Sequence, residues 1–432
     1  MAAVATLVYL TGFAGLCLAG WHAIGSAFAA DPDEARFLKR VFAVAVAARL
    51  AVALGTYVFL PYGLLAPDEA GYLREATNIV STKHIDLVEF LNGHAWQYFN
   101  AATLLMPGAV NALLPRLWNC FVGSLCVVPA YVIARQLGAG AASRFAAVLT
   151  AAFPSIVLWS SLNIKDADVW FLILVAAALI LRIQQQPGAR YAYALGATLA
   201  VLITLRWVAA AGLVVALGVA LLSRSEAVRS ALHRPRFWQV AGGATGFVVL
   251  VVVAAIKTHP AAVARIYGAA HLTGLAYVRR EFTVGAHSTT IRDPGLDTLG
   301  GTLAFLPQGF RDFLLRPYPW EGAGSLAALT RPETIAYYLL LVLALYGIFV
   351  SLRTRPEPAI PLITFLLGMG LGYGLILANL GTIYRERAQL ILVMFCFAAV
   401  AVGSIRARLP TRGRAGERGT VSTVNKHGPT SV

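Results

Sequence analysis

The chain has 432 residues, of which 58% are hydrophobic and 13% charged, and its formal net charge at pH 7 is +15. An average soluble domain has about 25% charged residues, so this composition excludes an ordinary soluble protein. The positive charge does not indicate nucleic-acid binding, because Lys and Arg form short clusters beside apolar runs. That arrangement is typical of an integral membrane protein.

Apolar stretches recur along the chain, each long enough to cross the ~30 Å hydrocarbon core of a bilayer as a helix. Backbone polar groups have no water partners there, so such stretches form helices, and the short alternating segments of a barrel are absent. We predict an all-α integral membrane fold with about eleven transmembrane helices. They lie near residues 4–27, 41–60, 117–136, 145–162, 168–183, 191–205, 208–222, 237–256, 335–352, 359–378 and 388–404.

Two of these predicted spans allowed another interpretation. Ala27-Phe28-Ala29 fits the small-x-small form of a signal-peptide cleavage site, but no Lys or Arg precedes the apolar run. A signal peptide is also shorter, so we predict a retained span. The stretch from Tyr191 to Leu222 is too long for one untilted span, and Arg206 interrupts it. We therefore predict two short helices with Arg206 and Trp207 at the turn between them.

The distribution of Lys and Arg predicts the orientation in the membrane. One set of short connections is strongly basic, as near Arg36, Arg135, Arg182 and Arg353, and such connections are cytoplasmic. The amino terminus is then external and the carboxyl terminus cytoplasmic. We predict a polytopic domain of residues 1–405, followed by a basic, disordered cytoplasmic tail of residues 406–432.

The same orientation makes two long connections external, at about residues 61–116 and 257–334. Amphipathic interfacial helices are predicted in both loops, because charged and aromatic residues are interspersed there. The four cysteines all lie in apolar segments without metal-ligand spacing, which indicates small buried side chains.

The first external loop opens with an acidic pair, Asp68-Glu69, directly after Pro67. Pro67 and Asp68 are residues that begin helices, so the two carboxylates can simply cap a helix and favour its dipole. Alternatively, a carboxylate is held at the membrane surface where it can accept a proton. Local sequence does not separate these two interpretations.

A second polar group, Lys165, Asp166 and Asp168, occupies a short turn between two spans. A solvated turn is one interpretation, but charges close to hydrocarbon are costly and favour a functional site. Lys165 either binds a phosphate or neutralises Asp166.

Isolated arginines mark further candidates. Arg49 lies near the centre of its span, where we expect it to pair with a carboxylate inside the bundle. Arg206, at the predicted external turn, is better placed to bind an anionic ligand. Arg316 opens the run Arg316-Pro317-Tyr318-Pro319-Trp320, which is either a membrane anchor or the wall of a lipid-phosphate pocket.

The segment before the last span contains Tyr384-Arg385-Glu386-Arg387. The two guanidiniums, at positions i and i+2, can chelate phosphate oxygens with planar forks. The other interpretation is an interfacial belt of Tyr and Arg in which Glu386 already pairs with one arginine.

In this order, the features resemble the bacterial membrane glycosyltransferases of the GT-C superfamily, similar to glycosyltransferase family 39. The resemblance covers residues 40–405 and rests on layout and on short motifs: Asp68-Glu69, Lys165-Asp166, Arg206-Trp207, Arg316 to Trp320, and Tyr384 to Arg387. Here a helix precedes the span before the acidic loop, whereas the family's usual pattern puts that loop after the first span.

The resemblance implies an enzyme of the bacterial inner membrane that takes a sugar from a polyprenyl-phosphate carrier. The acceptor is an envelope glycan, lipid or protein on the external face. It further implies Asp68 as the base, Glu69 as its helper or an acceptor ligand, and Lys165, Asp166, Arg206, Arg316, Arg385 and Arg387 as substrate contacts. No spacing of His, Cys or Asp residues requires a metal ion, so dependence on a divalent ion stays open. The alternatives are a lipid-linked glycan transporter or flippase and a non-catalytic scaffold of polysaccharide biosynthesis.

Overall fold

A computed structural model describes residues 2–106, 113–224, 274–281, 283, 294–321 and 331–408. Every regular element in these ranges is a helix, which confirms the predicted all-helical class. A π-helical stretch, Phe90–His94, joins the helices Leu87–Glu89 and Ala95–Leu104. The helices are α1 Ala2–Ala27, α2 Pro32–Phe59, α3 Pro67–Thr82, α4 Leu87–Glu89, α5 Ala95–Leu104, α6 Leu113–Leu125, α7 Val127–Gln136, α8 Ser143–Ala152, α9 Pro154–Trp159, α10 Asp166–Gln185, α11 Ala189–Leu222, α12 Gly274–Glu281, α13 Leu299–Leu315, α14 Arg331–Thr354, α15 Pro356–Ile376, α16 Leu380–Glu386 and α17 Ala388–Arg408.

Seven helical segments among the described residues are long and apolar enough to cross a membrane. They are Leu7–Ala27, Pro32–Phe59, Leu113–Gln136, Ala189–Leu222, Arg331–Thr354, Pro356–Ile376 and Ala388–Arg408. These segments support a multi-pass helical membrane protein. The predicted span at 237–256 and the tail from residue 409 lie outside the described residues, so the number of eleven spans stays a prediction.

The two ends of the helical bundle differ in composition. At the basic end, Arg144 of α8 pairs with Glu34 of α2 at 3.0 Å, and Arg135 of α7 lies 3.9 Å from Asp31. The opposite end, called the loop end here, consists of α3 to α5, α12, α13 and α16. The polar motifs found in the sequence lie at the loop end.

The chain reverses direction inside α11, at Arg206. This residue has φ −157° and ψ 82°, outside the helical region. Near the beginning of α11 the Tyr191 hydroxyl accepts a hydrogen bond from Arg182, and just after its end Ser223 accepts one from Gln184. Both donors lie at the end of α10, so the two ends of α11 are close to each other. The ends of a straight helix of 34 residues would be about 50 Å apart. The two arms are therefore antiparallel, in agreement with the predicted division at Arg206.

Arg49 is fully buried in α2, but its partners are not the predicted carboxylate. Its guanidinium donates to the carbonyl oxygens of Thr150 at 3.0 Å and Ala151 at 3.2 Å, and to Ser160 Oγ at 2.8 Å. Pro154 begins α9 and has no N–H for the Thr150 carbonyl, so the break between α8 and α9 leaves acceptors without a helical partner. Arg49 satisfies them.

The two ends permit a direct test of the predicted orientation. Lys83 ends α3 at the loop end and Gln186 follows α10 at the basic end, and both are exposed. We expect a cysteine at Lys83 to react with an impermeant thiol reagent in intact cells, and a cysteine at Gln186 to react only after permeabilisation.

The unsubstituted protein is the control, because three of its four cysteines are buried and Cys17 is half-buried within a span. The opposite labelling pattern would invert the orientation.

Candidate functional site

Five charged side chains from distant parts of the sequence meet at the loop end and form what we call the polar cluster. Asp68 lies in the first turn of α3, and Asp166 is the first residue of α10. Arg206 is at the reversal of α11, while Arg385 and Glu386 end α16. Each side chain is thus located where a helix begins, ends or reverses.

The cluster is a network of shared ion pairs. Arg385 lies 2.5 Å from Asp68, 3.5 Å from Asp166 and 3.6 Å from Glu386, measured between guanidinium nitrogen and carboxylate oxygen. Arg206 contacts Glu386 and lies 3.7 Å from Asp166. Two guanidiniums therefore stand between three carboxylates, and Asp166 and Glu386 each face both of them.

The three carboxylates differ in their access to solvent. The side chains of Asp166 and Glu386 are 1% and 2% exposed, whereas that of Asp68 is 43% exposed. Neither carboxylate oxygen of Asp166 accepts a hydrogen bond from the described residues, so this group is compensated by charge alone. Asp68 is the carboxylate of the cluster that an incoming molecule can reach.

The electrostatics of the cluster keep Arg385 positively charged. Burial by itself would lower the pKa of Arg385, but the nearby carboxylates, first Asp166 and then Glu386 and Asp68, raise the pKa above its ordinary value. The guanidinium is therefore a permanent cation at any physiological pH.

Lys165 adjoins the cluster, directly before α10. Its ammonium donates a hydrogen bond to the Gly93 carbonyl at 2.9 Å. The pKa of Lys165 is lowered to about 8, chiefly by burial and also by the positive charge of Arg206, while Asp166 opposes the change. Lys165 thus carries a charge at neutral pH and loses it in mildly alkaline solution.

Glu386 is held in place from its other side. Gln389 Nε2 donates to Glu386 Oε2 at 2.5 Å, and the Tyr373 hydroxyl donates to Gln389 Oε1 at 3.2 Å. From the sequence, Glu386 was expected only to pair with a neighbouring arginine and was not predicted as a site residue. Its position between Arg385 and Arg387 was the available signal.

Glu69, predicted as the helper of Asp68, points away from the cluster. Its carboxylate forms a fork-to-fork ion pair with Arg116 of α6, both hydrogen bonds measuring 2.9 Å. The backbone N–H of Asn163 also donates to it, at 2.6 Å. Both side chains are almost fully buried, so Glu69 holds α3 against α6 and the turn before α10.

Arg387 and Arg316 also lie outside the polar cluster. Arg387 is buried, and its guanidinium donates to the carbonyls of Leu314 at 2.8 Å and Arg316 at 2.7 Å. It lies over the Tyr337 ring at 4.3 Å and so holds the end of α13. The Arg316 side chain pairs with Glu321 at 3.2 Å. In the described part of the chain, neither guanidinium contacts the carboxylates of the cluster.

An open apolar cavity of about 600 Å³ lies beside the cluster. Leu205, next to Arg206, lines it on one side, and Phe90 and Ala95 flank Gly93, whose carbonyl binds Lys165. Asp168 is its one acidic residue, and Trp118 Nε1 donates to that carboxylate at 2.9 Å. The remaining lining residues are Trp96, Tyr98, Phe99, Trp118, Ala200, Val201 and Thr204.

Metal ligands were a further possibility. Among the residues that the structure describes, no three His, Cys, Asp or Glu side chains are arranged to hold a metal ion. In the polar cluster the guanidiniums of Arg206 and Arg385 already stand between the carboxylates.

Comparison of the sequence with protein-family models and with curated proteins found no match. The functional argument therefore depends on the chemistry of the polar cluster and of the cavity beside it.

The buried Glu69–Arg116 pair predicts a large effect on stability. Replacing Arg116 with Gln leaves the Glu69 carboxylate buried without its counter-ion, which costs about 3–5 kcal/mol. We expect Arg116→Gln to lower the midpoint of thermal unfolding of the detergent-solubilised protein markedly.

Arg144→Gln is the matched control, because Arg144 also pairs with a glutamate but is 42% exposed. Equal midpoints for the two variants would contradict the structural role of Glu69 and Arg116.

Proposed function

We propose that this protein is a membrane glycosyltransferase of the GT-C type. It moves a sugar from a polyprenyl-phosphate carrier to an envelope glycan, lipid or protein acceptor on the external face of the bacterial inner membrane. The observation that carries the proposal is the meeting of Asp68, Asp166, Arg206 and Arg385 beside an apolar cavity. The proposed layout has eleven spans and an external amino terminus.

The residue types of the cluster suit displacement at a sugar phosphate. A phosphate is already a good leaving group, so the reaction needs cations that stabilise its developing charge rather than a strong acid. Arg385 and Arg206 supply planar guanidiniums that match phosphate oxygens, with Lys165 as a third cation. The remaining requirement is a base that takes the proton from the acceptor hydroxyl.

Asp68 is the best candidate for that base. It is the exposed carboxylate of the cluster, whereas Asp166 and Glu386 are buried against the guanidiniums. In the proposed reaction the acceptor oxygen attacks the anomeric carbon as the bond to the phosphate oxygen breaks. The hydroxyl proton passes to Asp68, and in-line attack inverts the anomeric configuration.

The cavity beside the cluster suits the lipid part of such a donor. Its lining is aromatic and aliphatic, and Val201 on its rim is 51% exposed, so the cavity is open at the surface of the helical bundle. A hydrocarbon chain lying there gains stability by leaving water, while its phosphate reaches Arg206 and Lys165. A purely structural cavity has no need of adjacent cations.

The two alternatives predict different outcomes in the same assay. A flippase would transport a lipid-linked glycan across the membrane without forming a transfer product, and would be expected to carry charged residues on both faces. A non-catalytic scaffold would do neither. The described acid–base cluster lies at one end of the bundle, which favours the transferase.

Substitution of the proposed base gives the central test. Asp68→Asn removes the proton acceptor, and we expect transfer in proteoliposomes containing a polyprenyl-phosphate sugar to fall about 10²- to 10⁴-fold. Glu75→Gln is the matched control, because Glu75 is an exposed acid on the same helix.

Full activity in Asp68→Asn would remove Asp68 from the mechanism. Transport of a lipid-linked glycan without transfer by the unsubstituted protein would support the flippase instead.

Lys165 predicts a pH dependence of donor binding. Because its pKa is lowered to about 8, its positive charge is lost as pH rises from about 7 to about 9. The donor is a phosphodiester whose charge does not change in this interval. We expect its affinity to fall with rising pH in the unsubstituted protein and to stay constant in Lys165→Arg, as measured by fluorescence titration. The same decline in both proteins would exclude Lys165 as a donor contact.

A further inference from the structure

In the structure, the guanidinium proposed to hold the donor phosphate already forms ion pairs within the protein. Among the described residues, these ion pairs of Arg385 are with the carboxylates of Asp68, Asp166 and Glu386. The nearest is Asp68, at 2.5 Å. A ligand phosphate that binds Arg385 must therefore replace one of these internal anions.

Of the three carboxylates, only Asp68 is free to leave. Asp166 and Glu386 are buried, and Glu386 is also held by the hydrogen bond from Gln389. Moving either of them out would place a charge in an apolar environment, which is strongly unfavourable. Asp68 is 43% exposed, so its carboxylate can turn into water at little cost.

The helix that carries Asp68 is fixed, which limits the movement to the side chain. The neighbouring Glu69 is held by Arg116 through two hydrogen bonds of 2.9 Å and by the backbone N–H of Asn163. These contacts hold the first turn of α3 against α6. Release of Arg385 therefore needs only a change of rotamer at Asp68, a motion of nanoseconds or less for an exposed residue.

We propose that donor binding and activation of the base are one event, an exchange of anions at Arg385. The phosphate of the ligand displaces the Asp68 carboxylate, and its two non-bridging oxygens match the planar fork of Arg385. The displaced carboxylate is then unpaired and available to accept a proton. This inference rests on the proposed function and adds a rule of order: the donor binds first, and the acceptor meets an active base only afterwards.

The exchange predicts that substitution of Asp68 raises the affinity for phosphate, whereas loss of a residue that binds the ligand would lower it. If Asp68 competes with the ligand for Arg385, then Asp68→Asn removes the competitor and strengthens phosphate binding while it lowers the rate of transfer. We expect about fivefold tighter binding, as corresponds to a partly exposed ion pair. Arg385→Ala should lose most of the affinity.

The experiment measures binding of polyprenyl phosphate, without a sugar, to the full-length protein in phosphatidylcholine nanodiscs. Intrinsic tryptophan fluorescence reports the titration. Glu75→Gln, which removes the same charge from an exposed position of α3, should bind like the unsubstituted protein. Asp68→Ser is a second variant that keeps a short polar side chain in the first turn of α3 and should also bind more tightly.

The outcomes separate this inference from the proposed function. If the unsubstituted protein binds the phosphate and transfers sugar, but neither Asp68 variant binds more tightly, the exchange is wrong and the proposed function stands. An equal rise in affinity in Glu75→Gln would also overturn the exchange, because the effect would then come from the change in net charge alone. If the unsubstituted protein neither binds polyprenyl phosphate nor transfers sugar, the proposed function fails as well.

A parallel titration with inorganic phosphate identifies the part of the ligand that matters. Tighter binding of inorganic phosphate by Asp68→Asn would support the exchange and assign it to the phosphate group alone. Tightening with polyprenyl phosphate only would also support it, and would add the lipid chain in the adjacent cavity as a requirement.

Discussion

Two buried carboxylates, Asp166 and Glu386, are tolerated in an apolar helical bundle because Arg206 and Arg385 stand between them. Removing a single carboxylate from water costs several kcal/mol unless an opposite charge compensates it. The adjacent Lys165 donates its hydrogen bond to the Gly93 carbonyl, and the ion pairs of Asp166 are with Arg206 and Arg385. The reversal of α11 and the end of α16 must both reach the start of α10, so this electrostatic requirement connects segments far apart in the sequence.

Arginines elsewhere in the bundle stabilise places where helices end or break. Arg49 satisfies the carbonyls left free between α8 and α9, and Arg387 satisfies those at the end of α13. Arg116 joins α6 to Glu69 at the start of α3. In each case a guanidinium supplies donors for acceptors that lack a helical partner or for a carboxylate that lacks water. These contacts fix the positions of the helices around the polar cluster.

Between these fixed helices, the polar cluster combines fixed and movable side chains. The carboxylates of Asp166 and Glu386 are buried, and so are Gln389 and Tyr373, which hold Glu386 in place. The side chains of Arg206 and Arg385 are 15% and 16% exposed. Asp68 alone among the three acids is accessible to solvent. A fixed set of charges can bind an anion with little reorganisation, which is the condition under which electrostatic stabilisation of a transition state is most effective.

The sequence alone determined the membrane class, the reversal of α11 and the grouping of polar residues, because these follow from local quantities: apolar length, an interrupting arginine and clustered charge. It also named Asp68, Asp166, Arg206 and Arg385 individually as candidates, and the structure brings these four together. The sequence did not determine which of the adjacent side chains point in the same direction as these residues. Consecutive helical residues point about 100° apart, and residues i and i+2 about 200°.

Glu69 therefore faces Arg116 although it adjoins Asp68, and Arg387 binds carbonyls although it lies two residues from Arg385. Only the tertiary structure decided these partners, and it added Glu386, whose role depends on Arg206 and Gln389 meeting it from different helices. A group of charged residues in the sequence shows that partners for these charges must lie nearby in the fold. The packing of helices distant in sequence decides which side chain provides that compensation.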